Sequence, residues 1–136
     1  MRELIDRVEN FHVAFGVGNN KTPTNLSSDE VDLRVDLINE ETIEYKEAAR
    51  EGDLVGIADA LGDQLYIIIG TILRHGMQDV IEDVFNEIHR SNMSKLNEDG
   101  KPIINGINGS DPSKPLGKIL KSNRYTPPNL EQYLDK

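Results

Sequence analysis

Residues 59–73 read DALGDQLYIIIGTIL, and this stretch decides what kind of protein the chain can form. Helical periodicity places Asp59 and Asp63 one turn apart at the start of a segment that is apolar almost all round. Burying an ionised carboxylate without a partner costs several kcal/mol or more. The stretch contains no Lys or Arg that could neutralise the aspartates locally. We therefore predict that both aspartates belong to a site that binds a cation.

The preceding segment, EETIE at residues 40–44, supplies carboxylates of the same kind. Glu41 and Glu44 continue an otherwise apolar stripe in steps of three and four residues, and Glu40 can join that face. If the two helices pack antiparallel through a short turn at Gly52, both acidic segments lie at a similar height. The acidic side chains then converge on one cavity.

Hard oxygen ligands of this type suit Mg²⁺, with Mn²⁺ as a substitute, and do not suit zinc or copper. The predicted metal ligands are Glu40, Glu41, Glu44, Asp59 and Asp63. Glu41 and Glu44 are also the predicted catalytic residues. The alternative for such a pattern is an ordinary solvated acidic face, and Asp59 can equally be a local feature of its helix.

The first three-quarters of the chain has helical periodicity, whereas the remainder is rich in proline and in Asn-Gly turn signals. We predict one all-α domain over residues 1–136, with a helical core over about 1–96 and an irregular arm over about 97–136 that can hold a short hairpin. The predicted helices span residues 2–15, 28–50, 54–75 and 78–96, with a short helical turn at 130–134.

The net charge of -9 argues against binding to polymeric nucleic acid, which needs a basic face. The chain has no Cys, which fits a reducing compartment, and we expect a cytoplasmic protein. Its N-terminus is too charged for a secretory signal. No uninterrupted apolar run reaches the roughly 18 residues of a membrane helix, so we expect no membrane partner.

The acidic motifs resemble those of the all-alpha nucleoside triphosphate pyrophosphohydrolases, the MazG-like group that includes phosphoribosyl-ATP pyrophosphohydrolase. In that family Glu-Glu-x-x-Glu on one helix is followed by a second acidic motif that ends in Asp, here Asp63. Members often have Glu three residues before that Asp, where this chain has Ala60. The segments FNEIHRSNMSK at 85–95 and GKILK at 117–121 extend the resemblance to a phage and bacterial subgroup.

The resemblance implies a four-helix-bundle-type fold that forms a dimer or a dimer of dimers. It also implies hydrolysis of a nucleoside triphosphate to the monophosphate and pyrophosphate. In this hypothesis the carboxylates hold Mg²⁺, water attacks the α phosphorus, and Glu40 or Glu41 is a candidate base.

An acidic metal site needs cationic and hydrogen-bonding groups that hold the outer phosphates. The predicted substrate-binding residues are Arg90, Asn92, Lys95, Lys118, Lys121 and Tyr66. Tyr66 would line a base pocket, although an aromatic residue on this helix is also a natural core residue. Exposed Lys and Arg side chains are often only solubilising groups, and His12, His75 and His89 are interpreted as structural.

The preferred substrate is a nucleoside triphosphate, with dUTP or another non-standard nucleotide as examples. One alternative is phosphoribosyl-ATP. A second alternative, from another class, is a helical dimerisation or adaptor module whose acidic faces bind a basic partner. That module would not be stabilised by magnesium.

Overall fold

The computed structural model describes residues 1–134 and is mostly helical, which confirms the predicted class. Its four main helices are α1 (Arg2–Ala14), α2 (Ser28–Glu51), α3 (Leu54–Arg74) and α4 (Ile81–Met93). The predicted arm holds an antiparallel pair, β1 (Ile103–Ile104) and β2 (Ile119–Leu120), and a short α5 (Glu131–Leu134). The last two residues of that predicted arm lie outside the described residues.

Capping residues explain where α2 and α3 begin and end. The Ser27 side chain accepts a hydrogen bond from the Glu30 amide, and the Asp53 side chain accepts one from the Gly56 amide. Both satisfy an amide that the first helical turn leaves free. Between the helices, Gly52 has a φ of 70°, a left-handed conformation that favours glycine. The turn is therefore short, and α3 runs back along α2.

The fourth helix begins at Ile81, three residues later than its apolar pattern predicts. Residues 78–80 form a turn instead. The Gln78 side-chain amide donates to the Asn20 carbonyl, and the Val80 amide donates to the Met77 carbonyl. These bonds hold the segment in a turn that the periodicity alone does not reveal.

The chain separates into two compact units, Met1–Ile81 and a second unit that starts at Glu82. The single domain that the sequence predicts therefore stays a prediction. In the first unit, the buried side chains of Ile5 and Val8 on α1 pack with Ile69 and Leu73 on α3. This cluster attaches α1 to one side of α3 and leaves another side for α2.

Contacts along the α2–α3 seam fix the relative position of the two helices. Arg74 pairs with Glu30, Arg34 donates to Thr71, and Gln64 donates to Thr42. The partners advance along α2 as they retreat along α3, which is the pattern of an antiparallel pair in one register. The register brings the middle of α2 opposite the first half of α3.

By length and composition alone, α3 is long and apolar enough to cross a membrane. Core helices of water-soluble proteins pass the same test. Only 17% of its most apolar window is buried within this chain. The exposed residues Leu61, Leu65 and Ile68 follow one another at steps of four and three, so they form one apolar stripe along the helix.

In the second unit, the arm is joined to α4 by hydrogen bonds. Ser91 is buried and donates to the Thr126 carbonyl, and the Thr126 amide donates to the Ser94 hydroxyl. Within the arm, the buried Asn105 side chain donates to three backbone carbonyls and accepts from the Asp111 amide. No apolar side chain in the described part of the arm is fully buried, so specific polar contacts hold the arm.

Leu73→Ala should destabilise the protein by about 2–5 kcal/mol, because Leu73 has no exposed surface and the substitution leaves a cavity. The free energy of unfolding, measured by urea denaturation, checks this. Leu54→Ala on the same helix is the matched control, since Leu54 is 79% exposed and should change stability by less than about 1 kcal/mol. Equal losses of unfolding free energy in the two variants would show that Leu73 does not lie in the core.

Candidate functional site

Three of the predicted ligands come together where α2 faces α3. Glu41, Glu44 and Asp63 each offer a carboxylate oxygen, and these oxygens all lie within 4.8 Å of one another. Glu41 and Glu44 share one face of α2 because they are three residues apart, and the antiparallel register brings Asp63 opposite them. Glu41 and Asp63 are half-buried, whereas Glu44 is exposed.

Burial and the crowding of like charges change the acidity of Glu41. Burial, a hydrogen bond with the Glu44 side chain and the negative charges of Glu44, Asp63 and Asp59 together raise the pKa of Glu41 to about 7. All of these influences disfavour the ionised form. Without a cation, Glu41 is therefore partly protonated near neutral pH.

Glu40 and Asp59, the two other predicted ligands, do not belong to the three-residue group, and both are exposed. Asp59 still acts on the group through its charge, because it contributes to the raised pKa of Glu41. It also lines an open hollow of about 230 Å³ together with Glu44. Asp59 is thus a neighbour of the three carboxylates, and a metal-binding role for it or for Glu40 stays a prediction.

The donor set fits a hard divalent cation. Glu41 Oε2 is buried and has no hydrogen-bond partner among the described residues. Such an atom normally has a protein, water or ion partner, since leaving it unsatisfied costs about 1–3 kcal/mol or more. Three carboxylates can hold Mg²⁺ and leave coordination positions open for water and for phosphate oxygens.

The predicted phosphate-binding cations all lie in the second unit, where some already have protein partners. Arg90 forms a bidentate pair with Glu87 and also donates to Thr126 and to the Pro127 carbonyl. These bonds link α4 to the arm. The ammonium group of Lys121 lies 4.6 Å from the centre of the Tyr125 ring.

The remaining three predicted phosphate-binding residues differ in how far they are exposed. Asn92 and Lys118 are exposed, and Lys95 is half-buried. A hollow of about 320 Å³ lined by Ser94 and Arg124 lies in the same unit. Roles in phosphate binding for this group, and for Arg90 and Lys121, stay predictions.

Tyr66, the predicted base-pocket residue, packs edge-on against Phe11 with ring centres 5.6 Å apart. It also lines a mainly apolar cavity of about 150 Å³ between α1 and α3. Tyr66 is 40% exposed, so part of its side chain remains accessible. The contact with α1 explains its position without a ligand, and base binding by Tyr66 stays a prediction.

Sequence reasoning missed the arginines at the other end of the α2–α3 seam. Arg34 and Arg74 line a cavity of about 210 Å³ together with Glu30 and the loop residues Val17 and Gly18. The seven-residue spacing of Arg34 and Glu41 on one face of α2 was the available signal. An arginine in a helix is usually a surface group, so the spacing alone carried little weight.

A comparison with known families matches the part of the chain that carries these carboxylates. A model of the family described as phosphoribosyl-ATP pyrophosphohydrolase matches residues 8–92, a range that contains all three clustered carboxylates. A comparison with curated proteins gives no significant match. Because the family match covers more than half of the chain, the chain belongs to the phosphoribosyl-ATP pyrophosphohydrolase family of the all-alpha nucleoside triphosphate pyrophosphohydrolases, and it is a pyrophosphohydrolase.

Proposed function

We propose that this enzyme hydrolyses phosphoribosyl-ATP to phosphoribosyl-AMP and pyrophosphate in a magnesium-dependent reaction. The convergence of Glu41, Glu44 and Asp63 within 4.8 Å is the observation that carries the proposal. The family match favours phosphoribosyl-ATP, which the sequence offered only as the alternative, over dUTP or another nucleoside triphosphate. A cytoplasmic location without membrane or nucleic-acid partners remains a prediction from the sequence.

Glu41, Glu44 and Asp63 would hold Mg²⁺ between α2 and α3. When bound, the ion would neutralise charge on the phosphate oxygens and draw electron density from the phosphorus under attack. The protein contributes a fixed arrangement of oxygen donors, since each of the three side chains projects from a regular helix.

Proton transfer from the attacking water requires a base beside the triphosphate. Glu41 is one candidate, because its carboxylate lies in the group of three that would hold the cation. Glu40 is exposed and outside the cluster, and it is the second candidate. Water then displaces pyrophosphate from the α phosphorus, and the new P–O bond forms as the bond to the bridging oxygen breaks.

We also propose that two copies of the chain associate through the stripe of Leu61, Leu65 and Ile68. These side chains are 45–49% exposed on a helix that is otherwise the most apolar in the chain. An apolar stripe of this kind is stable in water when a second surface covers it. A second copy offers the same stripe, which suits a symmetric dimer or a dimer of dimers.

Glu44→Gln and Asp63→Asn should each reduce pyrophosphate release from phosphoribosyl-ATP by at least about a hundredfold, since each removes a charged donor at the cation. Circular dichroism should show unchanged helices. Asp36→Asn is the matched control, because Asp36 is exposed on α2 and outside the cluster. Normal pyrophosphate release by both site variants would refute the proposed centre.

The raised pKa of Glu41 predicts how the metal-free protein responds to pH. Its ordinary pKa is 4.5, so between pH 4.5 and about 7 the folded state holds a proton that the unfolded chain has released. Rising pH therefore favours unfolding over that window. We expect the Tm of chelator-treated protein to fall from pH 5 to pH 7.5, and Glu41→Gln to remove most of this fall.

Magnesium should reverse that effect, because it binds the ionised carboxylates and competes with the proton. The rise in Tm produced by Mg²⁺ should therefore grow with pH over the same range. Glu87, whose pKa is lowered to about 2, affects stability only at more acidic pH and does not interfere. A Tm that Mg²⁺ leaves unchanged at every pH would instead favour the adaptor module.

Ile68→Lys should convert the proposed dimer to monomers, since it places a charge in the middle of the apolar stripe. Sedimentation velocity at several protein concentrations measures the outcome. Ile107→Lys is the control, because Ile107 is 79% exposed in the arm and lies outside the stripe. A wild-type protein that sediments as a monomer at all concentrations would exclude the proposed association.

A further inference from the structure

A positively charged cavity lies at the end of the α2–α3 seam that is remote from the carboxylates. It is lined by Arg34, Arg74 and Glu30 and has a volume of about 210 Å³. Arg74 is bound to Glu30 through two guanidinium nitrogens, so these two side chains neutralise each other. Arg34 is left as the surplus charge, and the lining of the cavity carries a net positive charge in a chain whose net charge is -9.

Arg34 forms no salt bridge of its own among the described residues, although the charge of Glu30 acts on it from farther away. Its Nε donates to the Thr71 hydroxyl and its Nη2 donates to the Ile67 carbonyl, both of which are neutral acceptors. Within the described part of the chain, Nη1 donates no hydrogen bond. Burial is the largest influence on the pKa of Arg34 and lowers it, while Glu30 opposes that shift and Arg74 adds to it. A half-buried guanidinium remains charged, so an anion would relieve the charge.

The guanidinium is held in place before any ligand arrives. A Cβ atom at Gly70 would lie 2.7 Å from Arg34 Nη2 and 3.0 Å from His12 Nε2. Glycine at this position therefore leaves the room that both side chains occupy, and a larger residue would displace them. His12 is itself fixed, because its Nδ1 donates to Asn19 Oδ1 at 2.7 Å. A rigid fork of this kind suits phosphate recognition.

The cavity and the carboxylates lie along the same seam. Arg34 and Glu41 are seven residues apart on one face of α2, which corresponds to about 10 Å along the helix axis. On α3, Asp63 and Gly70 are also seven residues apart and lie on one line. A ligand that reaches from the carboxylates to Arg34 therefore needs anionic groups at two separated positions.

We propose that Arg34 is a specificity-determining residue that binds the phosphate on the second ribose of phosphoribosyl-ATP, remote from the triphosphate. This inference rests on the proposed function, because the triphosphate must lie at the carboxylates. ATP lacks the second ribose phosphate. The cavity would therefore distinguish phosphoribosyl-ATP from a simple nucleoside triphosphate, a distinction that the carboxylates cannot make.

The test compares kcat/KM for phosphoribosyl-ATP and for ATP in the wild-type protein and in Arg34→Gln. The ratio of the two values should fall about tenfold to a hundredfold in the variant, as expected for loss of a charged hydrogen bond to phosphate. Arg50→Gln should leave the ratio unchanged, since Arg50 is an exposed arginine at the far end of the same helix. If Arg34→Gln does not fold, Arg34→Lys keeps a charge, loses the fork, and should lower the ratio in the same direction.

An unchanged ratio in a folded variant would overturn the assignment. Equal losses for both substrates would also overturn it, because they would place Arg34 at the triphosphate. Calorimetric binding of both nucleotides separates this inference from the proposed function. If no variant and no wild-type protein releases pyrophosphate, a selective loss of phosphoribosyl-ATP binding in Arg34→Gln would still support the anion subsite.

Discussion

Close packing of α2 against α3 sets every distance in the candidate site. The two helices meet in one antiparallel register, which contacts at one end and in the middle of the seam define. That register forces Glu41, Glu44 and Asp63 together although their charges repel. Burial, the hydrogen bond with Glu44 and this repulsion together raise the pKa of Glu41 to about 7. Apolar packing elsewhere in the unit must offset this unfavourable term for the fold to persist in the absence of a cation.

Much of the fold could be predicted because its signals are local. Ser27 and Asp53 are good capping residues, and Gly52 suits a left-handed turn, so the ends of α2 and α3 follow from short stretches of sequence. The start of α4 could not be predicted in the same way. It depends on a hydrogen bond between Gln78 and Asn20, which are far apart in sequence.

The candidate site was predictable to the extent that helical spacing determines it. Asp63 stands out because its surroundings are apolar, and Glu41 and Glu44 stand out because they interrupt an apolar stripe. Which other acids join them depends on rotation about the helix axes, and here Asp59 and Glu40 remain outside the group. Arg34 was missed for a related reason. Its unusual state results from Thr71, Ile67 and the absence of a side chain at Gly70, and none of these contacts is encoded near residue 34.

Two groups of opposite charge are left without sufficient neutralisation on one face of α2. Glu41 lies among acids, and Arg34 forms no salt bridge with a described acid. Direct contact between them would neutralise both, but seven residues of regular helix hold them about 10 Å apart. Rearrangement of side chains therefore cannot bring Arg34 and Glu41 into contact. A bound cation at one end and a bound phosphate at the other would relieve both, and a nucleotide with two separated phosphate groups carries the charges that this spacing requires. Charged groups that lack a partner inside a stable fold tend to mark functional positions. Here two such groups lie along the α2–α3 seam, at a separation that one ligand can span.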